Sequence, residues 1–264
     1  MQSPHLTVMI NAARKAARGL QRDFGEVENL QVSLKGPGDF VTASDRKAEA
    51  LLREELLKAR PTYGFLGEET GALEGEDPAK HRWIVDPIDG TTNFIHGVPM
   101  FAIAIALERH GEIVAGLIYN PIMDEMFTAE RGRGAFLNDR RRLRVAARRD
   151  IHDALFSCGL PHRGNPENER FRKELTTMQG VVAGLRRTGS CCLDLAYVAA
   201  GRFDGFWERG VKPWDIAAGI IMIREAGGAV QDIDSEASPM ETGDIVASNG
   251  ELIGDFRRLL REAK

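Results

Sequence analysis

Trp83-Ile84-Val85-Asp86-Pro87-Ile88-Asp89-Gly90-Thr91-Thr92-Asn93-Phe94 is the stretch on which the reading of this chain turns. An apolar, β-forming run ends in two aspartates three residues apart, and glycine and small hydroxyl residues follow where a helix or turn can begin. The two carboxylates can converge on one point while the backbone N–H groups of Gly90, Thr91 and Thr92 remain free to meet an anion. Carboxylates able to hold a metal, set beside a cradle for phosphate, suggest phosphoryl chemistry. Taken alone, such a pair is more often a set of turn and cap residues.

Two further acidic spots bear on that choice. Gly67-Glu68-Glu69-Thr70-Gly71 puts two carboxylates on a loop after the strand expected at Gly64-Phe65-Leu66. Lys212-Pro213-Trp214-Asp215-Ile216-Ala217-Ala218-Gly219 sets an aspartate at the start of an apolar helix. Each has a plain alternative, a solvated turn for the first and an N-cap for the second.

Around these motifs the hydrophobic spacing predicts helices over residues 7 to 24 and from Thr42 or Ser44 to Pro61. Strands are expected at Ala102 to Leu107, Ile113 to Tyr119 and Met126 to Thr128, with turns at His110-Gly111 and Asn120-Pro121. Further helices are expected from Leu193 to Ala200, Ile216 to Ala226 and Leu252 to Glu262. Lys35-Gly36-Pro37-Gly38-Asp39 reads as a mobile turn, and Arg140 to Arg144 as a solvated one. The expected organisation is an α+β half over residues 1–139, carrying most of the acidic motifs, and an α/β half over residues 140–264.

Composition narrows the function. Among 264 residues, 39 acidic and 35 basic side chains give a formal charge of −4, which argues against non-specific nucleic-acid binding. The longest apolar run, Val98 to Leu107, is too short to cross a bilayer, and the N-terminus shows no secretory pattern. Three cysteines, Cys158, Cys191 and Cys192, without C-x-x-C spacing speak for a reducing cytoplasm. Neither a nucleotide-hydrolase phosphate loop nor an H-E-x-x-H is present, so any metal is expected to be oxygen-bound and hard, such as Mg2+.

Glu68-Glu69, the Asp86-to-Thr92 run and Trp214-Asp215-Ile216-Ala217-Ala218-Gly219 together resemble the signature of the inositol monophosphatase family in order, spacing and context. The resemblance runs over nearly the whole chain. It implies a layered αβαβα sandwich of the inositol monophosphatase and fructose-1,6-bisphosphatase type. It also implies a homodimer that hydrolyses small phosphomonoesters with two to three Mg2+ ions and is inhibited by lithium. Position by position, Glu68, Asp86 and the Ile88 carbonyl would hold a first ion, and Asp86, Asp89 and Asp215 a second. A weaker third ion would rest on Glu68 and water. Gly90 and Thr91 would donate to the phosphate, Thr91 and Asp45 would polarise the attacking water, and Glu208 would bind substrate hydroxyls. Cys191, in Gly189-Ser190-Cys191, would line the sugar side of the pocket.

Electrostatics gives that ligand set a reason. Close carboxylate pairs repel by about 4 kcal/mol at an effective dielectric near 20, so such a cluster takes up protons or recruits cations. The function expected is hydrolysis of myo-inositol monophosphate or a similar polyol phosphate. Alternatives are a sugar, histidinol or nucleotide phosphatase of the same superfamily, or a protein that contacts the transcription machinery with an incidental active site. No membrane contact and no direct nucleic-acid binding are expected. The Pro37-Gly38 turn, shortly before Asp45, is expected to order when magnesium binds.

Overall fold

The computed structural model describes residues 3–24, 32–36, 39–161 and 167–263. The chain begins with helix α1 (Pro4–Phe24), then strands β1 (Val32–Gly36) and β2 (Asp39–Thr42), then α2 (Ala43–Ala59). Next come β3 (Gly64–Gly67), β4 (Gly71–Leu73), β5 (His81–Asp89), the short helix α3 (Thr91–Ile95), β6 (Ala102–Arg109) and β7 (Glu112–Asn120). After β8 (Glu125–Glu130), β9 (Gly134–Leu137) and β10 (Arg141–Arg142), a second sheet begins with β11 (Leu155–Cys158). Helix α4 (Asn168–Gln179), β12 (Gly184–Arg186), α5 (Cys191–Ala199), β13 (Gly205–Glu208) and α6 (Pro213–Glu225) follow. The chain finishes with β14 (Ala229–Gln231), α7 (Pro239–Thr242), β15 (Ile245–Ser248) and α8 (Ile253–Glu262).

The strands form a hairpin of β1 and β2, an eight-stranded sheet in the order β10-β9-β8-β7-β6-β5-β3-β4, and a five-stranded sheet in the order β12-β11-β13-β15-β14. Because side chains alternate along a strand, each sheet offers two faces, and the buried residues sort accordingly. Trp83, Val85, Ile103, Ile105 and Leu107 pack against α1 and α2 on the outer face of the large sheet. Their neighbours Ile84, Ala102, Ala104 and Ala106 face the other way, onto α5, α6 and the Phe206, Ile245 and Ala247 side chains of the small sheet. Phe156, Trp207 and Val246 point to the far side, where Phe171 and Met178 of α4 and Phe256 and Leu260 of α8 close the stack. The layers therefore run α, β, α, β, α.

The middle layer sits close because the strands beneath it carry small residues. Gly116 of β7 leaves no space for even a methyl group: a Cβ there would come 2.9 Å from the Ala218 carbonyl of α6. Thr42, rather than Ser44, caps α2, accepting from Ser44 N–H and Asp45 N–H while Asp45 reaches back to the Thr42 N–H. Arg141 and Arg142 form an edge strand against β9 instead of a turn, since the preceding residues reverse the chain at Asn138 and Asp139. Lys35 and Gly36 end β1 and Asp39 begins β2, while Pro37 and Gly38 lie outside the described residues.

Candidate active site

The acidic motifs meet because of strand register and one irregularity. β3 and β5 run parallel with Gly67 beside Val85, so the next residue along each strand brings Glu68 beside Asp86, and the Glu68 N–H donates to the Val85 carbonyl at 3.2 Å. Residues three apart on a regular strand point to opposite faces. The pairing of β5 with β6 shifts between Asp86 and Asp89, across Pro87, and this break lets both aspartates face the same cleft. Gly90 then turns the chain with φ of 96° into α3; a side chain there would press on the Met100 and Gly189 carbonyls.

The cleft encloses about 370 Å3. Glu68, Asp86, Asp89 and Asp215 line it together with Ile88, Gly90, Thr91, Cys191 and Glu208, so nearly every residue singled out from the sequence borders one space. Asp45 is the exception. It is 1% exposed and stands behind Thr91, whose hydroxyl lies 3.1 Å from Asp45 Oδ1 and 3.0 Å from the Ile88 carbonyl. The other Asp45 oxygen accepts the Thr42 N–H at 2.8 Å and also the Thr42 hydroxyl.

Burial and mutual repulsion shape the charges. Asp86 is 2% exposed, and burial, followed by the neighbouring Glu68, Asp89 and Asp215 charges, pushes its carboxyl well above the usual range. Burial also raises Asp89 and Asp215, although both keep part of their surface toward the cleft. Glu208 is pushed up to about 7, first by burial and then by the charge of Asp89. Asp45 is raised by burial against the pull of the Thr42 and Thr91 donors.

Several side chains that hold the site carried no evident signal in the sequence. Ser190 caps α5 and donates its hydroxyl to Asp89 Oδ2, which also accepts the Cys192 N–H at 2.7 Å. The Ser before an alanine-rich helix is a capping signal, but its partner lies 101 residues away. Buried Glu49 accepts the N–H groups of Glu69 and Thr70, each at 2.8 Å, and so fixes the turn that carries Glu68. Asn93 donates to the Met100 and Thr188 carbonyls, tying α3 to the turn before α5. Asp215 is the third residue of α6 rather than its cap: Lys212 occupies the cap, and its N–H donates to Asp215 Oδ2 at 2.7 Å.

One oxygen each of Asp86 and Asp89 and the Cys192 sulfur lie within 4.8 Å of one another, close enough to share a cation. Burial pushes the Cys192 thiol up, and it donates to the Asp215 carbonyl at 3.1 Å, which leaves the carboxylates as the ready donors. Oxygen donors in a repelling cluster suit a hard divalent ion.

The profile of the inositol monophosphatase family matches residues 1–263. The chain is a member of that family. An inositol-1-monophosphatase of Mesorhizobium japonicum is 60% identical, with 100% of this chain and 97% of the relative covered. A Nus factor SuhB of Pseudomonas aeruginosa is 44% identical, covering 93% and 92% of the two chains. Among solved structures, the extragenic suppressor protein suhB of Bartonella henselae superposes with a TM-score of 0.95 at 54% identity, covering 98% and 99%. The Thermotoga maritima IMPase superposes with a TM-score of 0.89 at 33% identity, covering 99% and 98%. The layered fold described above is thus that of the inositol monophosphatases.

Proposed function

We propose that this protein hydrolyses myo-inositol monophosphate, or a closely similar polyol phosphate, to the free polyol and phosphate with Mg2+. The observation that carries the reading is the convergence of Glu68, Asp86, Asp89 and Asp215, from two halves of the chain, on one cleft that Glu208 also borders. Family membership and the 60% identical relative named inositol-1-monophosphatase support it.

Glu68, Asp86 and the Ile88 carbonyl would hold one ion, and Asp86, Asp89 and Asp215 another; a third would rest on Glu68. When bound, Mg2+ supplies charge neutralisation for the phosphate and lowers the pKa of water to be used as nucleophile. The chain's own residues do the rest. The Thr91 hydroxyl, between Asp45 Oδ1 and the Ile88 carbonyl, is set to orient a water and pass its proton toward Asp45. Asp45, raised by burial, is suited to hold that proton. Gly90 and Thr91 line the cleft at the start of α3, where the N–H groups have no partner within the helix, and would donate to phosphate oxygens. Glu208, across the cleft, accepts hydroxyl donors of the polyol, with Cys191 beside it.

Phosphate release from D-myo-inositol 1-phosphate, histidinol phosphate, fructose 1,6-bisphosphate and a nucleotide monophosphate, each with Mg2+ and with added lithium, tests this reading. Turnover of inositol phosphate that needs Mg2+ and falls with lithium is the expected result; no turnover with Mg2+ overturns it.

A homodimer is part of the proposal. Val98, Ile122 and Met123 are exposed, Met123 at 47%, on two loops that Asn120 joins by donating to the Pro99 carbonyl and accepting the Ile122 and Met123 N–H groups. We place the enzyme in the cytoplasm, in keeping with three unpaired, buried cysteines. Among the described residues no helix is long and apolar enough to cross a membrane.

A further inference from the structure

Immediately after Glu208 comes a residue that the proposed chemistry does not use. Arg209 is 1% exposed in its side chain, and its guanidinium meets three carboxylates from three separate segments. Nε donates to Glu174 of α4 at 2.7 Å. Nη1 donates to Asp234, after β14, at 2.8 Å and to Asp244, before β15, at 2.6 Å. Glu174 has no exposed side-chain surface and also accepts the Trp207 indole N–H at 3.2 Å, while Arg170 joins Asp234 at 2.7 Å.

Strand alternation explains the arrangement. Trp207 and Arg209 point together to the α4 side of the small sheet, where both touch Glu174. Glu208, between them, points into the cleft. There its carboxylate lies flat against the Gly159 backbone, so close that a Cβ on Gly159 would overlap it. The next residues are pinned as well: Gly210 N–H donates to Asp244 Oδ1 at 3.1 Å, and Val211 N–H to the Gly243 carbonyl at 2.9 Å. Lys212 follows, with its N–H on Asp215.

Buried ion networks are weak evidence of stability, because apolar replacements of similar volume often serve as well, and a role in fixing geometry is the better account. We propose that Arg209 is a positioning residue for hydroxyl recognition: its junction with Glu174, Asp234 and Asp244 fixes the strand end carrying Glu208 and the Gly210–Lys212 turn leading into α6. The inference rests on Glu208 binding substrate hydroxyls, as proposed above. A guanidinium fork is required, since a lysine ammonium cannot meet three acids spread around it with the same geometry.

The experiment compares D-myo-inositol 1-phosphate with p-nitrophenyl phosphate, which has no hydroxyls, in wild type, Glu208→Gln, Arg209→Lys and Asp244→Ala. Asp244 is partly exposed, so its variant keeps the fold if Arg209→Lys does not. In both positioning variants KM for the inositol phosphate should rise about tenfold, with kcat within about twofold and KM for the nitrophenyl ester unchanged, since small misplacements of an orienting group act on the aligned substrate. A merely structural loss would lower the active fraction for both esters alike. An unchanged KM, or an equal rise for both esters, in the folded variants overturns the proposal. An effect in Glu208→Gln without one in Arg209→Lys or Asp244→Ala leaves the role of Glu208 standing and removes that of Arg209. If the wild type hydrolyses neither polyol nor nitrophenyl ester, the functional reading fails separately. Arg209 is then judged by amide hydrogen exchange over residues 205–212, where faster exchange in the variants supports positioning and unchanged exchange overturns it.

Discussion

Replacing Asp86 by Asn should abolish hydrolysis and, without metal, make the protein more stable. Asp86 is the most crowded of the acids, with Glu68, Asp89 and Asp215 all raising it after burial has done so. Asparagine keeps an oxygen for the Ile88 N–H, which Asp86 Oδ1 accepts at 2.9 Å, and supplies an N–H2 group for Glu68. What is removed is one buried charge facing three others. Each close pair costs up to about 4 kcal/mol at an effective dielectric near 20, but protonation already relieves part of this in the metal-free protein, so a gain of about 1–3 kcal/mol is the reasonable share. For a chain of this size that corresponds to a rise in Tm of roughly 2–5 °C.

The pH dependence follows from the direction of the shifts. A carboxyl raised in the folded state holds its proton after the unfolded chain has lost it, so stability falls as pH climbs from about 4 through the raised value. Asp86, Asp89 and Asp215 add to this slope, and Glu208, pushed up to about 7, extends it toward neutrality. Thermal unfolding in EDTA at pH 6 and pH 8 should therefore show wild type losing stability at the higher pH and Asp86→Asn losing less. Magnesium should reverse the order: at a hundred times its dissociation constant a bound ion adds about 2.7 kcal/mol to wild type, and Asp86→Asn should gain little. An Asp86→Asn protein less stable than wild type in EDTA at pH 8 would refute the reasoning.

Thr91→Val keeps the shape of the α3 start but loses the hydroxyl between Asp45 and Ile88; kcat should fall by about 10²–10⁴ and Tm by a few degrees, since buried Asp45 Oδ1 loses a donor, read by phosphate release and melting. Ser190→Ala removes one of two donors to Asp89 Oδ2, and calorimetric Mg2+ affinity should drop about tenfold, as for other groups that orient a ligand. Glu49→Ala leaves the N–H groups of Glu69 and Thr70 without their acceptor, so stability should fall by about 1–3 kcal/mol in urea melts, and Mg2+ binding should weaken with the loosened Glu68 turn. Met123→Glu puts a charge into the exposed apolar loops and should shift the species seen by light scattering from dimer to monomer; an unchanged mass would remove that face from the proposed interface.

Much of the layered fold was legible because its signals are local. Alternating side chains in β5 and β6, the Thr42 cap and the glycines after α5 and α6 each act within a few residues. The acidic motifs were legible as a set, since three short patterns in one order carry the family resemblance. What pattern alone does not convey is why Asp86 and Asp89 face the same way. Their spacing of three contradicts a regular strand, and only the shift in pairing with β6 resolves it. The supports were hidden for a related reason. Glu49 reads as one more charge on an amphipathic helix until β3 is laid beside α2, and Arg209 reads as a strand-end surface residue until α4 and the segments around β14 and β15 close over it.

How the fold brings four acids to one point comes down to where the middle helices begin. Asp89 is held by the capping Ser190 hydroxyl and the Cys192 N–H in the first turn of α5, and Asp215 sits in the first turn of α6 on the Lys212 N–H. Helix starts carry partial positive charge and free N–H groups, and each such contact offsets part of the carboxylate repulsion. Asp86 accepts the Ile88 N–H, which belongs to a strand and not to a helix start, and is also the most deeply buried of the cluster. The repulsion left by incomplete compensation therefore weighs most on Asp86, the residue proposed to be shared between both sets of ion donors. A cation held at that position would offset the largest share of the repulsion. The small residues of β6 and β7 make that placement possible, because α6 could not bring Asp215 to the cleft if Gly116 carried a side chain.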